Sequence, residues 1–299
     1  MQAPQDPYAP QAALTDPARA APQIWRLLLG MALVLFVMLS LGQMVFRAAH
    51  AMLSPDAYAA FLAGFDAGDT PAGLLAMLLL LGGLGIGTLC AARLLHQRSA
   101  RSLFGARPLG QGLRVAVALV VLHGAILLLP PWDFPGPTDP GIAPGLWLTL
   151  LPLSIAALLI QTGAEELFFR GYLQSQLAAR FRAPAVWLVL PSALFALGHH
   201  TPDLFGENAW LVTLWAFVFG VAMADLTARS GSLGPAMAVH FINNASAILF
   251  VSLQGQMSGL ALSTLPVATT DIDAMRLLLV VDAAMIGLSW LTARLALRV

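Results

Sequence analysis

The feature that most constrains this chain is the recurrence, eight times, of an apolar run near the length that crosses a ~30 Å hydrocarbon core. The runs fall at about 27–46, 72–92, 113–130, 145–165, 184–200, 210–227, 233–253 and 276–296, the fifth being short. They predict an all-α, polytopic membrane protein of about eight transmembrane helices. Composition agrees, because 59% of residues are hydrophobic and only 10% charged, where soluble domains carry about 25% charged residues. Lipid must therefore serve as part of the solvent. The formal net charge is zero and the basic residues are scattered, which argues against nucleic acid as a partner. The single cysteine, Cys90, lies inside an apolar run and reads as a packing residue. Residues 1–23, rich in Pro, Ala and Gln without apolar periodicity, read as a disordered cytoplasmic tail. The membrane-embedded domain is expected over 24–299.

Arginine placement gives the orientation. Arg93, Arg98, Arg101, Arg107 and Arg114 crowd the second loop, Arg170, Arg180 and Arg182 the fourth, and Arg229 the sixth. Acids mark the odd loops, Asp133 and Asp139 in one and Asp203 and Glu207 in another. The positive-inside rule then puts both termini in the cytoplasm, which an even number of spans requires. Ala49-His50-Ala51 after the first run superficially resembles a signal-cleavage site, but the long run and weakly charged leader fit a retained anchor better. Every basic residue is arginine and alanine is abundant, which points to a bacterial source and so to a bacterial inner membrane.

Ionisable residues inside a bilayer cost about 2.5–3.5 kcal/mol each on insertion scales, so each one asks for a reason. Only three glutamates occur, and Glu165 and Glu166 are adjacent at the end of the fourth run. His199 and His200 close the fifth run, and His240 precedes Asn243 and Asn244 in the seventh. Glu166 and Arg170, four apart, share a helix face and can pair. Glu165, turned about 100° away, is left as the acid without that partner. With Arg182 as the cytoplasmic reversal, Glu165 lies seventeen residues before it and His199 seventeen after. Both then sit roughly 25 Å along their helices and can face each other. His240 and Asn244, four apart, bring a third helix to a similar depth. The site is thus expected between the fourth, fifth and seventh helices.

A carboxylate and a histidine in low dielectric can hold and deprotonate water, and a second histidine with an amide can supply donors to an oxyanion. The same residues can equally form a buried polar network that only fixes helix packing. Spacing alone leaves these two readings level.

At these residues the sequence resembles the CPBP intramembrane proteases, which include the type II CAAX prenyl endopeptidases and the Abi proteins. The motifs are Glu165-Glu166-Leu167-Phe168-Phe169-Arg170, Phe195-Ala196-Leu197-Gly198-His199 and His240-Phe241-Ile242-Asn243-Asn244, in the family's order EExxxR, FxxxH and HxxxN. The resemblance covers about 145–250, the motif-bearing core of a transmembrane protease domain spanning 24–299. It implies an endopeptidase acting on membrane-tethered peptides, with prenylated CAAX-type termini among the candidates, and with membrane lipid as its other partner. Glu165 and His199 would bind the attacking water, His240 and Asn244 would form the oxyanion site, and Glu166 with Arg170 would support them. No cofactor is favoured. A divalent metal such as zinc, were one required, would take Glu165, His199 and His240, although HExxH is absent.

Other polar residues receive plainer readings. Asp225 is expected to pair with Arg229, and His200 to be an interface residue. Asp282 and His123 have no obvious partner in the pattern. Asn244-Ala245-Ser246 matches a glycosylation sequon but falls within a span, and no GxSG serine signature occurs around Ser230. Two other functions remain open: a catalytically silent membrane scaffold or immunity protein of the same fold, and a proton-coupled transporter. The transporter would predict inverted repeats, and none is visible.

Overall fold

Proline sets most of the helix starts, where its missing N–H and fixed φ cost nothing. Pro55, Pro71, Pro108, Pro144 and Pro184 each open a helix. The structure is a computed structural model that describes residues 6–129 and 137–299. Its helices are α1 Ile24–Met52, α2 Pro55–Ala67, α3 Pro71–Leu80, α4 Gly82–His96 and α5 Pro108–Leu127. After these come α6 Pro144–Glu166, a π-helical stretch Leu167–Gln174 and α7 Ser175–Arg180, which run on as one rod. The remainder are α8 Pro184–Leu197, α9 Ala209–Ser230, α10 Gly234–Ala245 and α11 Ile272–Leu297.

Among the described residues six helical stretches are long and apolar enough to cross a membrane: Ile24–Met52, Pro71–His96, Pro108–Leu127, Pro144–Arg180, Pro202–Ser230 and Ile272–Leu297. The other two expected spans are shorter. α8 has 14 residues and α10 has 12, or roughly 21 and 18 Å of rise. α8 ends where the chain meets Gly198, and α10 passes into a π turn at Ser246–Phe250 and then an extended strand. Of the eight expected runs, six thus fall in long stretches and two in short helices. The end of the third expected run, residue 130, and Asp133 lie outside the described residues, as do 1–5. The outward faces carry large apolar side chains, Leu28, Leu35, Phe36 and Leu39 on α1 and Leu113, Val117 and Val120 on α5 among them. Only lipid makes such a surface favourable, and the chain is an integral membrane protein.

Three findings depart from expectation. A small sheet, β1 Asp139–Pro140, β2 Val251–Leu253 and β3 Ser263–Leu265 in the order β1-β3-β2, interrupts the all-α pattern. Arg170, counted with the loop arginines, is buried mid-rod, on a helix that runs on past Glu166 as expected. The N-terminal segment, expected to lack order through 1–23, folds as short turns over 9–18 that bury Gln11, Leu14, Thr15 and Ala18. Tyr8 sets its ring edge against Trp187 at 5.5 Å, and Leu14 O accepts from Arg98 at 3.2 Å. A few well-placed apolar side chains suffice here, because the ends of the membrane helices provide a surface that sequence composition cannot display.

Close approach of helices depends on glycine. A Cβ at Gly87 of α4 would meet Val34 Cα of α1 at 2.8 Å, so the two backbones are in contact, the small-residue packing common in membranes. One apolar cluster joins α1, α4 and the π stretch, a second joins α5, α8, α9, α10 and α11, and a third joins α3 and α6 to the 246–250 turn. The buried acids lie on the rod that these clusters share.

Candidate active site

Glu165 and Glu166 end α6, and the π-helical stretch begins at the next residue. Widening the turn there displaces the side chains that follow from a regular α register, and such bulges recur at functional sites. Both glutamates are buried, as are Arg170 and His240.

Glu166 is the hub. Its Oε1 accepts from Arg170 Nη1 at 2.8 Å and from His240 Nδ1 at 2.8 Å. Arg170 Nη2 also donates to Gly220 O of α9 at 3.1 Å, and its guanidinium lies 5.0 Å from the centre of the Phe195 ring. With Nδ1 committed to Glu166, His240 turns Nε2 toward Glu165 Oε2 at 3.5 Å. Glu165 Oε2 and Glu166 Oε2 are both buried and accept no hydrogen bond among the described residues. A buried carboxylate oxygen of that kind has strong demand for a donor. The ring of His240 is boxed by Phe219 at 4.9 Å and Phe195 at 6.2 Å.

Asn244, one turn beyond His240, donates Nδ2 to Gln161 Oε1 at 3.0 Å. His199 lies just past the end of α8, with Nδ1 on its own Phe195 carbonyl at 2.9 Å and its ring 4.4 Å from Phe195. The structure therefore joins Glu165, Glu166, Arg170 and His240 directly and brings Asn244 in on the same helix as His240. His199 reaches this group through the Phe195 ring, with no hydrogen bond to Glu165. Of the conditional metal set, His240 Nε2 faces Glu165 Oε2 at 3.5 Å and His199 has Nδ1 on the Phe195 carbonyl, and among the described residues no three such side chains gather as a ligand group.

Among the other polar residues, Asp225 pairs with Arg229 at 2.8 Å as expected. His200 Nδ1 is bonded to Thr213 at 2.9 Å, and its ring lies 4.3 Å from that of Trp210. Asp282, which the pattern left without a partner, accepts from Trp215 Nε1 at 2.6 Å, and His123 Nδ1 meets the Leu119 carbonyl at 2.9 Å. Gln161 was not foreseen, although its place four residues before Glu165 on one helix face was a signal. Gly220 acts through a backbone carbonyl, and no side-chain pattern announces that.

The stretch that holds this geometry matches, over residues 147–246, the family described as type II CAAX prenyl endopeptidase Rce1-like. The match agrees with the resemblance carried by the three motifs and takes in Glu165, Glu166, Arg170, His199, His240 and Asn244. It spans about a third of the chain, so α1 to α5 and α11 lie outside the Rce1-like segment. The uncharacterized protein YyaK of Bacillus subtilis (strain 168) is 26% identical over 113 residues, covering 38% of this chain and 38% of that protein. No solved structure matches.

Proposed function

We propose that this protein is an intramembrane endopeptidase that hydrolyses peptide bonds in membrane-tethered substrates, with prenylated CAAX-type termini as one candidate class. The observation that carries this reading is the pair of buried glutamates arranged around His240, one fixing the ring and the other facing its free nitrogen.

Glu165, with an unpartnered buried oxygen, takes a proton from a water held between it and His199. The water oxygen attacks the substrate carbonyl, and the oxyanion accepts from His240 Nε2–H, the ring acting as an imidazolium with a proton on each nitrogen and Glu166 as its counter-charge, and from Asn244 Nδ2 once that amide leaves Gln161. The proton on Glu165 passes to the departing amine, so water is consumed and an acid and an amine are released. Glu166 and Arg170 do not touch the substrate. They hold His240 in register, as the orienting carboxylate does in catalytic dyads. Both termini are assigned to the cytoplasm and the protein to a bacterial inner membrane, on the arginine distribution and arginine-only basic composition.

A second reading, a catalytically silent member of the same fold, is favoured by one feature. The Asn244 amide and His199 Nδ1 already have intramolecular partners.

The test is cleavage of a panel of membrane-tethered peptides by purified protein and by Glu165→Gln, each with and without chelator. Loss of about 10²-fold or more in the variant alone supports the general base. Equal cleavage by both proteins removes Glu165 from the mechanism, and restoration by zinc after chelation would return His199 and His240 to ligand roles. Inactivity of the wild type across prenylated and unprenylated members alike would favour the silent reading.

A further inference from the structure

A cavity of about 520 Å³ lies beside the site, on another face of α10. Its volume falls in the range of small-molecule sites, ~300–1,000 Å³. Asn243 and Ser246 line it while Asn244 looks toward Gln161, and a single aromatic layer separates it from His240: Trp215 stacks on Phe219 at 6.3 Å and Phe219 touches His240 at 4.9 Å. The walls are apolar and rich in thioethers, with Val212, Leu278, Met257, Met275 and Met285. Methionine walls adapt to irregular chains. Three polar groups that the proposed mechanism does not use converge on the same space. Asp282 accepts one bond, from Trp215, and keeps Oδ1 for another donor. His123, tied by Nδ1 to Leu119, has Nε2 to spare, and Asn243 makes no side-chain hydrogen bond among the described residues. His123 and Asp282 lie outside the Rce1-like stretch.

A carboxylate inside a membrane span is costly, and the tryptophan bond satisfies only one of its oxygens. We propose that this cavity binds a single-chain amphiphile, its hydrocarbon tail along the methionine-lined walls and a hydrogen-bond-donating head group, an amine above all, on Asp282. Such a molecule can be a free amphiphile of the bilayer or the apolar anchor of the cleaved substrate, and only the second source rests on the peptidase reading.

Trp215 reports on the cavity, because a bromine atom quenches an indole at short range. The experiment titrates detergent-purified full-length protein with 6-bromododecylamine and with 6-bromododecan-1-ol, whose bromine stays near the head group, taking the quenching lost in Trp215→Phe as the specific signal. Saturable quenching by both is expected. Asp282→Asn should weaken the amine about tenfold or more, the value of one charged hydrogen bond, and leave the alcohol nearly unchanged. Two cavity-filling variants, Ala247→Phe and Val281→Phe, should abolish saturation by both ligands, and whichever keeps the wild-type unfolding temperature is decisive. Quenching that never saturates, or that is identical in Asp282→Asn for both head groups, overturns the proposal. Binding is read without turnover, so an inactive protein that binds the amine refutes the peptidase and keeps the site. In an active protein, a raised KM with unchanged kcat in the filled variants assigns the site to the substrate anchor. An unchanged KM assigns it to a bilayer amphiphile.

Discussion

At the scale of single residues, the Glu166–Arg170 pair has a sharp consequence. Both side chains are essentially without solvent, at 0% and 1% exposure, so removing one leaves the other charge buried and alone. Arg170→Leu is expected to destabilise the protein by about 3–5 kcal/mol, and the double variant Glu166→Leu/Arg170→Leu to recover much of that loss. Thermal unfolding in detergent measures both. Arg170→Lys is not a conservative change, since it cannot reach Glu166 and the Gly220 carbonyl together. Asn244 gives a second prediction. Asn244→Ala should lower kcat about 10²–10³-fold while leaving KM within a few-fold, the signature of a donor used in the transition state. Pairing and helical spacing made Glu166, Arg170, Glu165, His240 and Asn244 legible in the sequence. The contact of His240 with both glutamates was not legible, because it depends on how far α10 slides along the rod.

Among the elements, the rod Pro144–Arg180 and its π stretch matter most, since they keep Glu165, Glu166 and Arg170 on one continuous support. The rod packs on α4, and α4 packs on α1 through Gly87. Gly87→Val would push Val34 and the α1 backbone away, and overpacking of this kind costs about 1–3 kcal/mol or more. The unfolding temperature should fall measurably, and if it does not, the backbone contact is looser than described. Helix existence was readable from apolar period and from Pro at the starts. The shortness of α10 was not, because its apolar run continues past the point where the chain passes into the turn after Ala245.

For the whole molecule, the N-terminal segment ties the helix ends together. Asp225 accepts from Tyr8 OH at 2.9 Å, Arg229 Nε at 2.8 Å and Trp290 Nε1 at 2.9 Å, joining the N-terminus, α9 and α11. Arg98, in the segment after α4, donates to Ser175 and to the Leu14 carbonyl, and burial lowers its pKa to about 10, so it stays charged at neutral pH. Tyr8→Phe should cost about 1 kcal/mol, and removal of residues 1–21 substantially more, both read as falls in unfolding temperature. A truncated protein as stable as the full chain would show that the segment only rests on the helices. Cysteine labelling from either face of the membrane, on a Cys90→Ser background, should find Arg101→Cys and Arg298→Cys on the same side. Labelling from opposite sides would refute the orientation drawn from the arginines.

The sequence by itself determined the solvent of this protein, its helical class and the candidate residues of its site, since apolar length and helix periodicity are local properties. The similarity of 147–246 to the Rce1-like family was likewise readable in three short motifs. Tertiary structure alone decided which atom of His240 faces which glutamate, that Gln161 holds Asn244, that His199 Nδ1 is taken by the Phe195 carbonyl, and that Asp282 and His123 share a cavity. Each of these depends on the relative translation and rotation of helices distant in sequence, and close packing of side chains and glycines sets those, not any pattern along one helix.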